Sequence, residues 1–315
     1  MKLGIIGTGK IVNDSLEAIK QICSIELIAI FAREKSFDKA KTIAEKYSIL
    51  KIYTNYDLLL NDEDIDTVYI CLINNLHYEY AKKALLNKKH VILEKPFTNN
   101  LDQAEELFMI AERNNCILLE ASSVLHSNVL RIMKRNINKL GNIKEIVANF
   151  SKKSSRYDNY INGIIDPVFD PKNYGGALRD LNIYNIYYLI YLFGMPNELN
   201  YHHIKGYNGI DLSGTLVLIY DNFIATLSAN KTKNDFNYFN IYGENSSLFL
   251  YGPPNNPQVL NIDNDIELYK NDGQHRLLNE FINFQYIIDS KNYKETNALK
   301  KYTLEVMTII DKAFL

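Results

Sequence analysis

Lys95 lies in the run Val91-Ile92-Leu93-Glu94-Lys95-Pro96. The apolar residues read as the end of a buried strand, so the charged pair that follows stands at its carboxyl edge. In open α/β sheets that edge is where ligands bind. Pro96 biases Lys95 toward an extended backbone, which holds the ammonium in one place. A lone lysine on such a loop is otherwise an ordinary surface charge. Asp180 and Tyr184 are four residues apart in a stretch of helical periodicity, so they project from one face. Interconverting a carbinol and a carbonyl requires a proton to move at the oxygen. A phenol does this when a nearby ammonium lowers its pKa. In this reading Tyr184 handles the proton, and Lys95 tunes it or polarises the oxygen itself. Asp180 orients substrate hydroxyls or the lysine. The competing readings are a packed aromatic for Tyr184, one of 23 tyrosines, and for Asp180 an acid favoured by a helix N-terminus.

These residues need a scaffold, and the first part of the chain supplies its signals. The apolar residues 3–6 are followed by Gly7-Thr8-Gly9-Lys10-Ile11-Val12 and a helical pattern over 14–20. A glycine turn between a strand and a helix is where backbone N–H groups hold a pyrophosphate. Val12 replaces the third glycine of the usual fingerprint, which predicts a wider helix–strand contact. Further strands are expected at 25–31, 67–72, 90–94 and 116–120, with helices at 36–47, 55–61, 77–87 and 101–113. This alternation is the pattern of a parallel doubly wound sheet.

The second strand ends Phe31-Ala32-Arg33. NAD-specific sites usually place a carboxylate there. Ala32 repels no 2′-phosphate, and Arg33 can pair with one, so NADP(H) is expected in preference to NAD(H). Glu34 can bond the ribose if the loop turns differently, and Arg33 can equally be a solvated charge.

Beyond residue 122 the pattern changes. A helix at 127–138 stops at Leu140-Gly141. Strand-like runs follow at 143–151, 213–220, 223–230, 237–242 and 246–251. Alternation in 223–230 marks an antiparallel sheet with one buried face. The two-sided apolar run 215–220 predicts that its outer face is covered too, in a homodimer or higher oligomer. A helix is expected at 177–192, and two more, at 275–289 and 296–313, close the chain. The expected division is a dinucleotide-binding domain, 1–122, and a substrate and oligomerisation domain, 123–315, with the last helices able to pack back on the first.

The 315 residues are 47% hydrophobic and 23% charged, with a formal net charge of −2. This balance argues against a nucleic-acid or acidic-membrane binder. Cys23, Cys71 and Cys116 are widely spaced in apolar surroundings, which suits reduced thiols in a cytoplasm. No Cys/His cluster suggests a metal. No apolar run has the length of a membrane span, and no signal peptide is expected. The charges Lys134, Arg135 and Lys139 read as a solvated helix face.

Together these features resemble the glucose–fructose oxidoreductase/inositol dehydrogenase (Gfo/Idh/MocA) oxidoreductases over nearly the whole chain. The residues that carry the resemblance are Glu94-Lys95-Pro96, Gly7-x-Gly9, Asn74-x-x-His77 and Gly175-Gly176-Ala177-Leu178-x-Asp180-Leu181-x-Ile183-Tyr184. It implies a Rossmann domain and a C-terminal α+β domain on a large open, mostly antiparallel sheet. It also implies hydride transfer to or from a sugar, polyol or diol-like substrate. The loop Leu72–His77 would lie beside nicotinamide and ribose, with His77 equally readable as a packing residue. Glu94 would touch the ribose or hold Lys95, and Glu120 would line the same cleft. Histidine is commoner at the Tyr184 position, while branches acting on dihydrodiols and pentoses have tyrosine. The chain departs from the pattern at Leu72-Ile73, Leu125, Asn128 and Asn182. Those departures leave open a dinucleotide-binding sensor or scaffold without turnover. A C=N or C=C reductase of the biliverdin-reductase type is a third reading.

Overall fold

The computed structural model describes residues 1–263 and 265–314. They form two compact units: Met1–Ser123 with His275–Leu304, and Val124–Gln274 with the chain from Glu305 onward.

The first unit runs β1 (Lys2–Ile6), α1 (Lys10–Ile19), β2 (Glu26–Phe31), α2 (Phe37–Tyr47), β3 (Lys51–Tyr53), α3 (Tyr56–Leu60), β4 (Thr67–Ile70), α4 (His77–Leu86), β5 (His90–Glu94), α5 (Leu101–Arg113) and β6 (Leu118–Ala121). All strands are parallel, in the order β3-β2-β1-β4-β5-β6. The order reverses at β1, and the crevice outside the carboxyl ends there is the natural ligand site of such a sheet. Every residue of β4 is buried, as expected when helices cover both faces. Val12, Leu16 and Ile19 of α1 pack into a core with Leu3, Ile5, Ile92 and Leu119. Val12 is fully buried there, so valine is accommodated where the usual fingerprint has glycine. Helix α5 is started by Asn100, whose side chain accepts from the Gln103 N–H at 3.0 Å. It buries Ala104, Leu107, Phe108 and Ala111, one stripe at helical spacing.

The second unit contains α6 (Asn128–Asn136), β7 (Ile143–Ser151), α7 (Tyr157–Ile161), α8 (Ile183–Phe193) and seven further strands. These are β8 (Glu198–Lys205), β9 (Asp211–Ile219), β10 (Ile224–Asn230), β11 (Tyr238–Gly243), β12 (Ser247–Tyr251), β13 (Val259–Ile262) and β14 (Ile266–Lys270). They make an eight-stranded sheet in the order β14-β13-β12-β11-β7-β10-β9-β8, antiparallel except for the β7–β10 pair. One face buries Ile146, Leu216, Leu227, Phe239, Leu248 and Leu260. The other is half-open. Strand pairing aligns Val217, Thr226, Val147, Asn240, Phe249 and Asn261 in one row across it. Helix α8 is tied to the sheet by a buried amide: Asn182 Nδ2 donates to the Leu227 carbonyl at 2.7 Å.

The last two helices are α9 (Leu278–Ser290) and α10 (Tyr293–Lys312). Phe281, Phe284, Ile287 and Ile288 of α9 complete the core around α1. Among the described residues no helix is long and apolar enough to cross a membrane. Cys71 and Cys116 are buried thiols, whereas Cys23 is exposed, on the turn after α1 rather than in the apolar setting expected of it.

Candidate active site

The β1–α1 turn is shaped by close approach. Gly7 has φ +120°, and a Cβ there would stand 2.6 Å from the Cys71 carbonyl oxygen. Its N–H donates to the Phe31 carbonyl at 2.9 Å, so the turn is pinned to β2. Gly9 precedes α1 with no side-chain cap, and the helix has no acid in its first turn. The free N–H groups of a ten-residue helix and its dipole therefore face outward, which is the arrangement that holds an anion. They open on a cleft of about 260 Å³. Gly7, Thr8, Gly9 and Ile11 form one wall, Ala32 and Arg33 another, and Leu72 and Ile73 a third. Leu72-Ile73, where the chain departs from the expected pattern, is thus an apolar wall. These features fit a dinucleotide. Arg33 is exposed at the rim, and among the described residues no ion pair engages its guanidinium. Lys10 is exposed on the first turn of α1. Asn74 begins the short 3-10 turn Asn74–Leu76 after the third wall.

Three residues of the expected set are buried or partly buried among the chain's own groups. His77 is fully buried, with Nδ1 2.9 Å from the Pro96 carbonyl oxygen and Nε2 3.1 Å from that of Leu72. Burial lowers its pKa, against the pull of those carbonyls. Its imidazole therefore bridges the loop after β4 and the loop carrying Lys95, which is the packing role. Glu94 accepts a hydrogen bond from the Tyr69 hydroxyl, which is 2.8 Å from Ser15 Oγ. Its carboxylate is drawn back into the sheet, and burial raises its pKa while Tyr69 and Lys95 oppose the rise. Glu120 is 5% exposed and adds to the field that raises the pKa of buried Glu280, so it belongs to an interior acidic group. Lys95 is half-buried, ahead of the cis Lys95–Pro96 bond.

In the second unit Asp180 lies on a π-helical turn, Leu178–Asn182, and Tyr184 is the second residue of α8. The pair is thus not on a regular α-helix, although the spacing is four. π turns are rare and recur at functional sites. The turn begins at Gly176, whose φ is +106° and whose missing Cβ leaves room for Asp211 Oδ1. Asp211 caps the turn, accepting from the Leu178 N–H at 2.8 Å and from the Tyr201 hydroxyl at 2.7 Å. Tyr184 is 8% exposed and meets Phe150 edge-on, ring centres 5.9 Å apart. Asp180 Oδ2 accepts from Lys231 Nζ at 2.5 Å. Neither Lys231 nor Asp211 stands out in the sequence. The only signal for Lys231 is a charge directly after the alternating strand 223–230, and Asp211 begins a strand like any polar residue.

The family model described as an oxidoreductase family with an NAD-binding Rossmann fold matches residues 1–122, and the Gfo/Idh/MocA C-terminal domain model matches 135–249. A scyllo-inositol 2-dehydrogenase (NADP(+)) of Bacillus subtilis is 30% identical over 250 residues, 79% of this chain and 76% of that one. A trans-1,2-dihydrobenzene-1,2-diol dehydrogenase of Xenopus tropicalis is 28% identical over 225 residues, 70% of this chain and 65% of that one. Among solved structures, a 3-ketoreductase from Actinomadura kijaniata in complex with NADP and TDP-benzene superposes with a TM-score of 0.86 at 23% identity. That match covers 98% of this chain and 96% of the other.

Proposed function

The chain belongs to the Gfo/Idh/MocA family of oxidoreductases, and we propose that it is an NADP(H)-dependent dehydrogenase of a cyclic polyol, sugar or related vicinal diol. The observation that carries the reading is the cleft at the carboxyl edge of the first sheet. There an uncapped helix start faces a turn that only glycine can make, with Arg33 at the rim. Backbone N–H groups at the start of α1 hold the pyrophosphate, and Arg33 pairs with the 2′-phosphate. The bound nicotinamide supplies or takes the hydride. Lys95 places positive charge at the reacting oxygen, Tyr184 moves its proton, and Asp180 accepts a hydrogen bond from a substrate hydroxyl. The names of the inositol and dihydrodiol relatives support a substrate with adjacent hydroxyls.

The test is a fluorescence titration with NADPH and NADH, followed by turnover assays on scyllo-inositol, D-xylose and a trans-dihydrodiol. Tighter NADPH binding and oxidation of at least one of these is expected. Tight cofactor binding with no turnover on a broad polyol panel would favour a sensor. The half-open row on the second sheet, with Val147, Val217 and Phe249, supports a homodimer or higher oligomer through that face. Light scattering of a monomer at micromolar concentration would refute it. Three free thiols, one of them exposed, support a cytoplasmic location.

A further inference from the structure

Lys231 follows the last residue of β10, and its N–H donates to the Leu212 carbonyl at 2.9 Å. Its side chain turns inward and is 1% exposed. Nζ reaches Asp180 Oδ2 at 2.5 Å and the Val168 carbonyl oxygen at 3.2 Å, and lies 5.0 Å from the centre of the Phe169 ring. The same Val168 carbonyl accepts the Gly176 N–H at 3.2 Å, so the ammonium is locked to the strand that carries it and to the loop that leads into the π turn. Removing an ammonium from water is costly unless it is paired and bonded. The unusual point is the asymmetry of the pair. The cation is sealed, whereas the Asp180 side chain is 37% exposed. A carboxylate this open keeps its own hydration and needs no buried cation to neutralise it. A buried cation with two fixed oxygen contacts does something different: it fixes where an accessible carboxylate points.

We propose that Lys231 is a positioning residue, which holds one oxygen of Asp180 so that the carboxylate is presented in a single orientation to a substrate hydroxyl. This rests on the reading of Asp180 as the substrate-facing acceptor. A carboxylate on a freely rotating side chain spends most of its time out of line, and a misplacement of about 1 Å costs about 10²-fold in rate. The surroundings give Asp180 little tolerance. The Asp211 cap and the Gly176 turn fix the backbone beneath it, so the side-chain torsions are what remains, and Lys231 sets them.

Lys231→Met keeps the length of the stem and removes the charge. With the polyol that the wild type oxidises, kcat/KM is expected to fall about 10²-fold, with the loss in kcat as well as KM and NADPH affinity unchanged. Asp180→Asn should fall to a similar level, and the double variant no further than Asp180→Asn alone, because Lys231 acts through Asp180. Multiplying losses would mean that Lys231 acts elsewhere and would overturn the proposal. If Lys231→Met does not fold, Lys231→Gln replaces it in the same cycle. A crystal structure of the Lys231 variant reads the orientation without any turnover. The Asp180 carboxylate should have left the position at which Lys231 Nζ holds it in the wild type, and finding it unmoved also overturns the proposal. A wild type that turns over no polyol refutes the dehydrogenase reading instead, and the crystal structure still decides the positioning.

Discussion

Two glycines separated by a single residue are expected to respond to alanine in opposite ways. At Gly7 the backbone is at φ +120°, and the new Cβ would meet the Cys71 carbonyl oxygen at 2.6 Å. Holding an L-residue in that conformation costs about 1–3 kcal/mol. The clash is with backbone, which cannot rotate away, so forced repacking adds about 1–3 kcal/mol. The sum, about 2–6 kcal/mol, is a large part of the roughly 5–15 kcal/mol that a folded protein has to lose. At Gly9 φ is −69° and ψ is 177°, ordinary extended backbone. A Cβ there would stand 3.8 Å from the same carbonyl oxygen, a normal contact. Gly9→Ala should therefore cost the fold under about 1 kcal/mol. Its methyl would instead occupy the approach to the start of α1. Losing one charge-assisted N–H contact to the pyrophosphate is worth about 1.5–3 kcal/mol, or about 10–100-fold in NADPH affinity. Urea denaturation and NADPH fluorescence titration on both variants measure the split. A Gly7→Ala protein within about 1 kcal/mol of wild type, or a Gly9→Ala protein as unstable as Gly7→Ala, would refute the reasoning.

Arg33→Ala should weaken NADPH about 10-fold or more while leaving NADH binding unchanged; comparison of the dissociation constants checks it, and equal losses for both would point to adenine stacking. Lys95→Ala and Tyr184→Phe should each lower kcat about 10²–10⁴-fold with cofactor affinity preserved, and full activity in Tyr184→Phe across the pH range would make Tyr184 a packing residue. Glu280 is 2% exposed, and its Oε1 makes no hydrogen bond among the described residues. Burial first, and then the charge of Glu94, holds its pKa well above the ordinary 4.5, against the pull of Arg276. Because the folded-state pKa is the higher one, the stabilisation is complete below the unfolded value and is lost as pH rises toward the folded value. Glu280→Gln should therefore gain stability relative to wild type progressively as pH rises above the ordinary carboxyl value of 4.5; urea midpoints that shift in parallel with pH would show that Glu280 does not titrate differently on folding.

The parallel sheet was legible because its strands are continuous apolar runs separated by helical spacing, as in Val91–Leu93. Strand β3 was not, since Lys51–Tyr53 is three residues long and half-buried, too short for any period. In the second sheet, β9 to β12 show in their alternation, but β8, β13 and β14 escape. Tyr201, His202 and His203 of β8 put polar and aromatic groups on both faces of an edge strand. Strand β13 has only four residues, and β14 mixes Glu267 and Lys270 with its apolar positions. A motif singles out Asp180 as a candidate but not what holds it. Lys231 is 51 residues from Asp180, and only the pairing of β10 with its neighbours brings them together. His77 shows the converse. Its place in the motif allows a ligand contact or a packing role, and both ring nitrogens face carbonyl oxygens of the chain's own loops.

The π turn at Leu178–Asn182 has a consequence for how this protein tolerates insertions and deletions. A π turn closes its hydrogen-bonded ring over five residues where an α turn uses four, so it is in effect a helix carrying one surplus residue. Shortening the segment by one would let the whole helix relax into regular geometry, at no loss of backbone hydrogen bonds. Because the surplus residue is absorbed within the turn, its removal would leave the chain on either side in phase, and what changes is the direction of the side chains inside the turn. Asn182 could keep its bond to β10 while Asp180 turned away from Lys231. A one-residue deletion here should thus yield a well-folded protein with its acid re-aimed relative to its phenol, whereas the same deletion in a surface loop should pass unnoticed.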